Sequence, residues 1–368
     1  MTARPGTGYP AARRMRAPQI FCVMGIGLML GFLLYIGRGI VVPVIYGLLI
    51  TVVITAVAAQ VRALPLSRRL PHSVSLWLSA LLIGGALAWI AGLLATNVSQ
   101  FIQRAPQYQA TLLSTIQTAA TALGIEREPS WQTLRQDMLA RINLQALLQS
   151  VAGSALSIIG GVVIVGLNVA FLLLERGSFQ TKLSLLFADP DAGARVGRIL
   201  AEINGKVGRY LAVKTLINVA LGAISWAIMA AWGLEFALFW AILIGLVNYI
   251  PYLGTFIGVA FPVLMAVVQF GDVGTVLSLT LALSAAQFGI GNVVEPQIMG
   301  KSLNVSPFVI LVALTVWGSL WGLSGAILAV PMTAAMVIAM APFATTRAFA
   351  ILLSQDGAIG LPAPVSSG

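Results

Sequence analysis

Apolar positions in this chain cluster into runs as long as a bilayer is thick. A helix needs about 20 apolar residues to cross roughly 30 Å of hydrocarbon. Residues 20–36 and 41–61 are the first two such runs, separated by a Gly-Arg-Gly triplet at 37–39. A basic loop, RALPLSRRLPH at 62–72, precedes a third run at 74–95. The fourth, 151–174, closes on Glu175 and Arg176, and the fifth is 215–234.

Between the third and fourth runs the pattern changes. Within 101–149 apolar residues recur at helical spacing: Tyr108, Leu112, Ile116 and Leu123 share one face. Trp131, Leu134, Met138 and Ile142 share another after a break at EREPS, 126–130. Two amphipathic helices fit this spacing, lying on the membrane surface or packed together as a small extramembrane unit. A polar face poor in lysine favours packing.

The last third breaks the simple rule. The apolar half 236–250 is too short to cross comfortably, PYLG comes next at 251–254, and a second half runs over 255–270. Pro251 and Gly254 at the middle predict a broken helix or a re-entrant hairpin. Residues 307–341 repeat the arrangement around WGSLWGLSG at 317–325, with Pro331 beyond. Non-helical backbone at membrane depth survives only where protein or a wet cavity covers it, and paired interruptions point to a transport site. Two kinked spans are the alternative. GLSG and SIIGG (157–161) are small-residue runs that would let helices approach closely.

Between the interruptions, Thr280, Ser284, Gln287, Gly291 and Glu295 form one stripe about 80° wide on a helix. A polar stripe on an apolar helix should face protein or water. A buried acid at mid-membrane costs about 2.5–3.5 kcal/mol, so it has a partner or a task. Asn248, Gln287, Asn292 and Glu295 are candidates to line a pathway for a polyol or a cation, with Pro251 and Gly254 shaping it. Lys301 could pair with Glu295 in one state and release it in another, or simply anchor the helix end. Glu295 could equally sit at the water interface, with Pro296 ending the helix.

Composition supports the membrane reading. Of 368 residues, 59% are hydrophobic and 9% charged, and the mean hydropathy is +0.96. A water-soluble surface needs about a quarter charged residues. The net charge of +10 does not form one patch. If the N-terminus is cytoplasmic and five helices cross in turn, 16 of the 21 Lys and Arg fall on the inner side. That is the positive-inside pattern, and it argues against nucleic acid as a partner. One histidine, His72, excludes a His-Glu-x-x-His protease and makes a zinc site implausible. No Gly-x-x-x-x-Gly-Lys-Ser/Thr motif supports ATP-driven transport. The chain reads as neither an enzyme nor a cofactor protein. A non-transporting scaffold is a third class, but it would not need broken helices.

The motifs GLVNYIPYLGTFIG (245–258) and VVEPQIMGKSLNVSPFVILVALTVWGSLWGLSGAILAVPMT (293–333) carry a resemblance. They resemble the Ile-Pro-Tyr-x-Gly and Glu-Pro…Met-Gly-Lys…Ser-Pro…Val-Pro signatures of the autoinducer-2 exporter (AI-2E) family of bacterial inner-membrane permeases. RYLAVKTLIN (209–218) is similar to the family's Arg-Tyr…Lys stretch, and Pro43 early in the second span fits more loosely. The likeness is specific over 205–340 and weak over 96–150.

The resemblance implies a multi-pass inner-membrane permease, a ring-like homo-oligomer (pentamers are the family picture), exporting a small polar solute such as autoinducer-2. Sodium or lithium/proton antiport is the alternative it leaves open. The expected architecture is an all-α polytopic membrane protein. It has about five full spans, an amphipathic extramembrane insert, and broken or re-entrant helices in the C-terminal third. The expected segments are a basic cytoplasmic tail (1–19), a three-span unit (20–95) and the amphipathic insert (96–150). A fourth span with its basic linker (151–214), a transport core (215–345) and a cytoplasmic tail (346–368) complete the chain.

Overall fold

The computed structural model describes residues 17–63, 71–122, 144–187, 189–299 and 303–357. Residues 1–16 and 358–368 of the two tails, Trp131 with its helical face, and Lys301 lie outside the described residues. The described chain is helical, with a single antiparallel bridge between Val305 and Ser354. It is an all-α polytopic membrane protein. Phe171, Leu81 and Phe288, each more than 60% exposed, show the outward apolar surface that lipid would cover.

The first two runs form α1 (Ala17–Ile36) and α2 (Arg38–Ala63), joined at Gly37. The third run and the first amphipathic stretch are one helix, α3 (His72–Ala122). At 1.5 Å per residue its 51 residues extend about 76 Å, far beyond a bilayer. The predicted boundary after residue 95 vanishes for a local reason. Thr96 Oγ1 and Asn97 Nδ2 both donate back to the Leu93 carbonyl, at 3.0 and 2.8 Å, so they join the helix instead of capping a new one. In the same way α4 (Leu144–Leu186) absorbs the fourth span together with flanking turns. α2 is the hub, packing on α3, α4 and α5 (Pro190–Ala231). Gly47 lies against Asn168 and Gly208 against Val52, where an added Cβ would sit 2.8 and 2.7 Å from the neighbouring side chain. Gly160 and Gly161 of SIIGG, by contrast, meet nothing within 4 Å.

Both interruptions are hairpins. In the first, α6 (Ala237–Val247) and α7 (Leu253–Phe270) flank a tip at 248–252. Its open ends meet: Glu235 N donates to Gln269 Oε1 at 2.7 Å, and Gln269 Nε2 donates to the Gly233 carbonyl at 2.8 Å. α7 therefore returns to the level at which α6 began. Pro251 cannot extend α6, and Tyr252 takes a positive φ of 64° to turn the chain. Gly254 lets α7 start against the end of α6, because a Cβ there would lie 2.6 Å from Val247 O.

α8 (Val273–Phe288) crosses next, continuing into a π-helical turn (Gly289–Val294) and a short α9 (Glu295–Met299). α8 runs antiparallel to α5: Trp232 Nε1 donates to Ser278 Oγ at 3.0 Å near one end, and Lys214 meets Glu295 at the other. The two contacts are about 26 Å apart along either axis, close to a full crossing.

The second hairpin is α10 (Pro307–Trp321) and α11 (Leu323–Met340) around Gly322, whose φ is 63°. After α12 (Arg347–Leu353) the chain pairs with the start of α10. Ser306 N donates to Leu353 O at 3.0 Å and Gln355 N to Asn304 O at 3.3 Å. Gly325 admits no other residue, since a Cβ would lie 1.8 Å from Trp317 O. The first hairpin enters from the Trp232 end of α5. The second enters from the opposite end, where Val305 packs on Val207, Tyr210 and Leu211.

Seven helical segments of the described residues are long and apolar enough to cross a membrane. Two of these, Leu253–Phe270 and Leu323–Met340, are return limbs of hairpins rather than independent crossings.

Candidate functional site

The polar groups of the core gather along one short stretch of α5. Lys214, Thr215 and Asn218 occupy adjoining positions of one helical face, spaced by one and three residues. Lys214 is buried, with a side chain 4% exposed, and its Nζ lies 2.5 Å from Glu295 Oε1. Glu295 retains 22% exposure. Tyr249 OH donates to Thr215 Oγ1 at 2.7 Å, because the threonine hydroxyl already donates to the Leu211 carbonyl. Asn248 Nδ2 donates to Asn218 Oδ1 at 2.8 Å. One turn of α5 therefore holds both the tip of the first hairpin and the far end of α8.

Small residues make this contact possible. A Cβ on Gly222 would lie 3.1 Å from Ala241 O, and one on Gly245 would lie 3.1 Å from Asn218 O. The backbones of α5 and α6 thus touch, which brings short amides such as Asn218 and Asn248 within reach.

The π turn delivers Glu295. Glu295 N bonds to Ile290 O, five residues back, and Pro296 has no N–H with which to close the next α-type bond. Gly289 and Gly291 lower the cost of widening the helix there. One extra residue in the turn rotates the residues beyond it by about 100° relative to an unbroken α-helix. That rotation parts Glu295 from the predicted stripe, and the stripe also divides within α8 itself, ahead of the turn. Gln287 is buried at 2%, whereas Ser284 is exposed and Thr280 bonds its own helix at Val276 O. Asn292, on the turn itself, is exposed.

Among the described residues, two buried amide donors have no hydrogen-bond partner, Asn218 Nδ2 and Gln287 Nε2. The Gln287 amide abuts Gly258 of α7, where an added Cβ would lie 2.7 Å from it, and Ile244 of α6 is alongside. An unmet buried donor costs about 1–3 kcal/mol, so these two are places where a polar guest or water would be welcomed. The space between the two hairpin tips is different in kind. It is a crevice of about 490 Å³ lined by Leu243, Val247, Ile250, Leu253, Leu314 and Leu323, among others. The polar residues lie on the other side of the first hairpin, toward α5 and α8.

Of the residues expected from sequence, Asn248, Gln287 and Glu295 are brought to this region, and Pro251 and Gly254 shape the tip. Ser284 and Asn292 are not. Lys214, Thr215, Asn218 and Tyr249 escape sequence reasoning. Their only signal is the polar trio in RYLAVKTLIN, set where an apolar span begins, and there Lys214 reads as the last base of a linker. Among the described residues, no group of three or more His, Cys, Asp or Glu could hold a metal ion.

A multi-pass helical membrane protein with two opposed hairpins and a buried polar strip at their junction has the build of a solute carrier. Comparison with known proteins gives the family: residues 24–344 match the AI-2E family transporter profile, and the chain belongs to that family. It is 28% identical to the AI-2 transport protein TqsA of Escherichia coli K12 over 340 residues, 90% of this chain and 95% of that relative. A putative transport protein of Haemophilus influenzae is 26% identical over 321 residues, 86% of this chain and 90% of the relative. Another from Borreliella burgdorferi is 32% identical over 206 residues, 56% of this chain and 57% of the relative.

Proposed function

We propose that this chain is a secondary transporter that exports a small polar solute of the autoinducer-2 kind, with its N-terminus in the cytoplasm of a bacterial cell. The buried Lys214–Glu295 pair carries this reading. An ion pair at the end of a membrane crossing is expensive to desolvate and is a weak source of stability, so its retention there fits a task. Glu295 keeps part of its side chain exposed while Lys214 is buried, so the carboxylate is the member that can exchange partners. Asn218 and Gln287 supply free amide donors at the same junction for hydroxyl or carbonyl groups of a cargo. The TqsA name supports the solute class, and the family resemblance supports a homo-oligomer with five subunits as the expected number.

Cation/proton antiport is the second reading, favoured by the same carboxylate: a sodium ion could take the place of the Lys214 ammonium beside it. Purified protein in liposomes separates the two. Efflux of dihydroxypentanedione-derived signal and sodium-driven change of lumenal pH are measured for the natural chain, Glu295→Gln and Lys214→Met. The expected result is signal efflux that both substitutions abolish while the protein remains monodisperse. Sodium-driven pH change without signal efflux would select the antiporter. Flux unaltered by either substitution would remove the pair from the mechanism.

A further inference from the structure

A second hollow, polar in its lining, lies away from the hairpins, at the Lys214 end of the bundle. It is a crevice of about 400 Å³ between α2, α4 and α5, lined by Thr55, Gln60, Arg176, Asn204, Gly205 and Arg209, among others. Two arginines from different helices therefore line one open space. The acids nearest them in sequence are committed elsewhere: Glu175 binds Lys182 at 3.2 Å and Glu202 binds Lys206 at 2.7 Å. Neither arginine has a carboxylate within ion-pair distance among the described residues.

The level of the crevice is fixed by its walls. Arg176 lies in the last turn of the apolar segment Gly160–Phe179, and Gln60 lies in the last turn of Arg38–Arg62. Arg209 is about 7.5 Å along α5 from the buried Lys214, on the side away from the apolar crossing. The crevice thus sits where hydrocarbon gives way to headgroups, at the end that the count of bases assigns to the cytoplasm. Arginine forks match phosphate oxygens in pairs, and Asn204 and Gln60 add neutral donors for ester or glycerol oxygens. Basic pockets between spans at this face suit anionic headgroups.

We infer that the Arg176–Arg209 crevice is a binding site for a phosphate group, supplied by an anionic phospholipid of the inner leaflet. The site is separate from the hairpin junction and does not depend on which solute is carried. Bound there, a lipid would tie α2, α4 and α5 together beside the strip that holds the hairpin tip.

The test is a binding titration on purified full-length protein in neutral detergent. The probes are short-chain phosphatidylglycerol, short-chain phosphatidylcholine, glycerol phosphate and inorganic phosphate. Saturable binding of phosphatidylglycerol is expected, weakened about tenfold by Arg176→Gln and by Arg209→Gln. Phosphatidylcholine should bind far more weakly. Gly205 offers a check that keeps both charges: a Cβ there meets nothing within 4 Å, so Gly205→Phe fills the crevice without a clash at its base. That variant should abolish binding. If the glutamine variants do not purify, Arg176→Lys with Arg209→Lys, and Gly205→Phe, still decide the matter. Glycerol phosphate binding as tightly as the lipid, and lost in the same variants, would assign the phosphate to a soluble ester instead. No saturable binding of any anionic probe, or binding unchanged by both the charge and the filling variants, would overturn the site.

Discussion

The Lys214–Glu295 pair makes an asymmetric prediction, because its members are buried to different degrees. Replacing Glu295 with Leu strands an ammonium whose side chain is 4% exposed. Stranding a buried charge costs about 3–5 kcal/mol. Replacing Lys214 with Met strands a carboxylate that is 22% exposed and can recruit water, so its cost should be about 1–2 kcal/mol. Replacing both removes the stranded charge altogether, and apolar substitutes for buried pairs are often neutral, so the double variant should recover most of the loss. The coupling energy from the cycle should then be about 3–6 kcal/mol. Thermal unfolding in detergent reads the series, with Glu295→Leu lower than the natural chain by on the order of 4–7 °C. The double variant should be folded but inactive. A Lys214→Met loss as large as that of Glu295→Leu, or a double variant equal to the sum of the singles, would refute this reading of the pair.

The glycine contacts and the α8 cap make three further outcomes measurable. Gly325→Ala should abolish folded yield by size-exclusion chromatography, because the new Cβ would fall 1.8 Å from the Trp317 carbonyl. Gly258→Ala pushes only the end of a flexible side chain, the Gln287 amide at 2.7 Å. It should cost about 1–3 kcal/mol of stability and change flux more than that loss explains. Asp272 caps α8 by accepting from Thr275 N at 2.7 Å and from its hydroxyl at 2.8 Å. The Thr275 backbone bond, then the hydroxyl, holds its carboxyl below the usual carboxylate range. With the folded value lowered, the cap's contribution is present above the ordinary carboxylate range and is lost as pH falls through the lowered value. Unfolding midpoints of Asp272→Ala should therefore lose part of the acid-side decline seen in the natural chain.

Much of the fold was legible because bilayer thickness imposes run length, and because proline and glycine at membrane depth have few structural solutions. Pro251, Gly254 and the Gly-rich stretch that holds Gly322 and Gly325 marked both interruptions for that reason, although kinked spans stayed open until the paired ends of each hairpin decided it. The extent of α3 was not legible: the third span ends in hydropathy at Ala95, but Thr96 and Asn97 bond inward and the helix continues. Within the site, Glu295 stood out as an acid in an apolar stretch, whereas its partner did not. Lys214 borders a basic linker in sequence, and only the antiparallel register of α5 and α8 shows that it points to Glu295. The π turn moved Glu295 off the stripe, since helical phase counted at 100° per residue carries no warning of an inserted residue. Within α8 the buried line runs through Leu279, Leu283 and Gln287 and leaves Ser284 exposed. Asn218 and Tyr249 needed the tertiary approach of α6 to α5 before either meant anything.

The transport role turns most directly on whether the tip of the first hairpin must leave α5. Asn218 and Asn248, joined by a 2.8 Å hydrogen bond, can each be replaced by cysteine in a Cys22→Ser background and bridged by a short bis-thiosulfonate. Signal efflux and sodium-driven pH change are then monitored in liposomes before bridging, after bridging and after reduction. Flux that falls to the level of protein-free vesicles when the bridge forms, and returns on reduction, is the predicted result. Undiminished flux through the bridged protein would contradict a carrier cycle that works by releasing the tip from Lys214, Thr215 and Asn218.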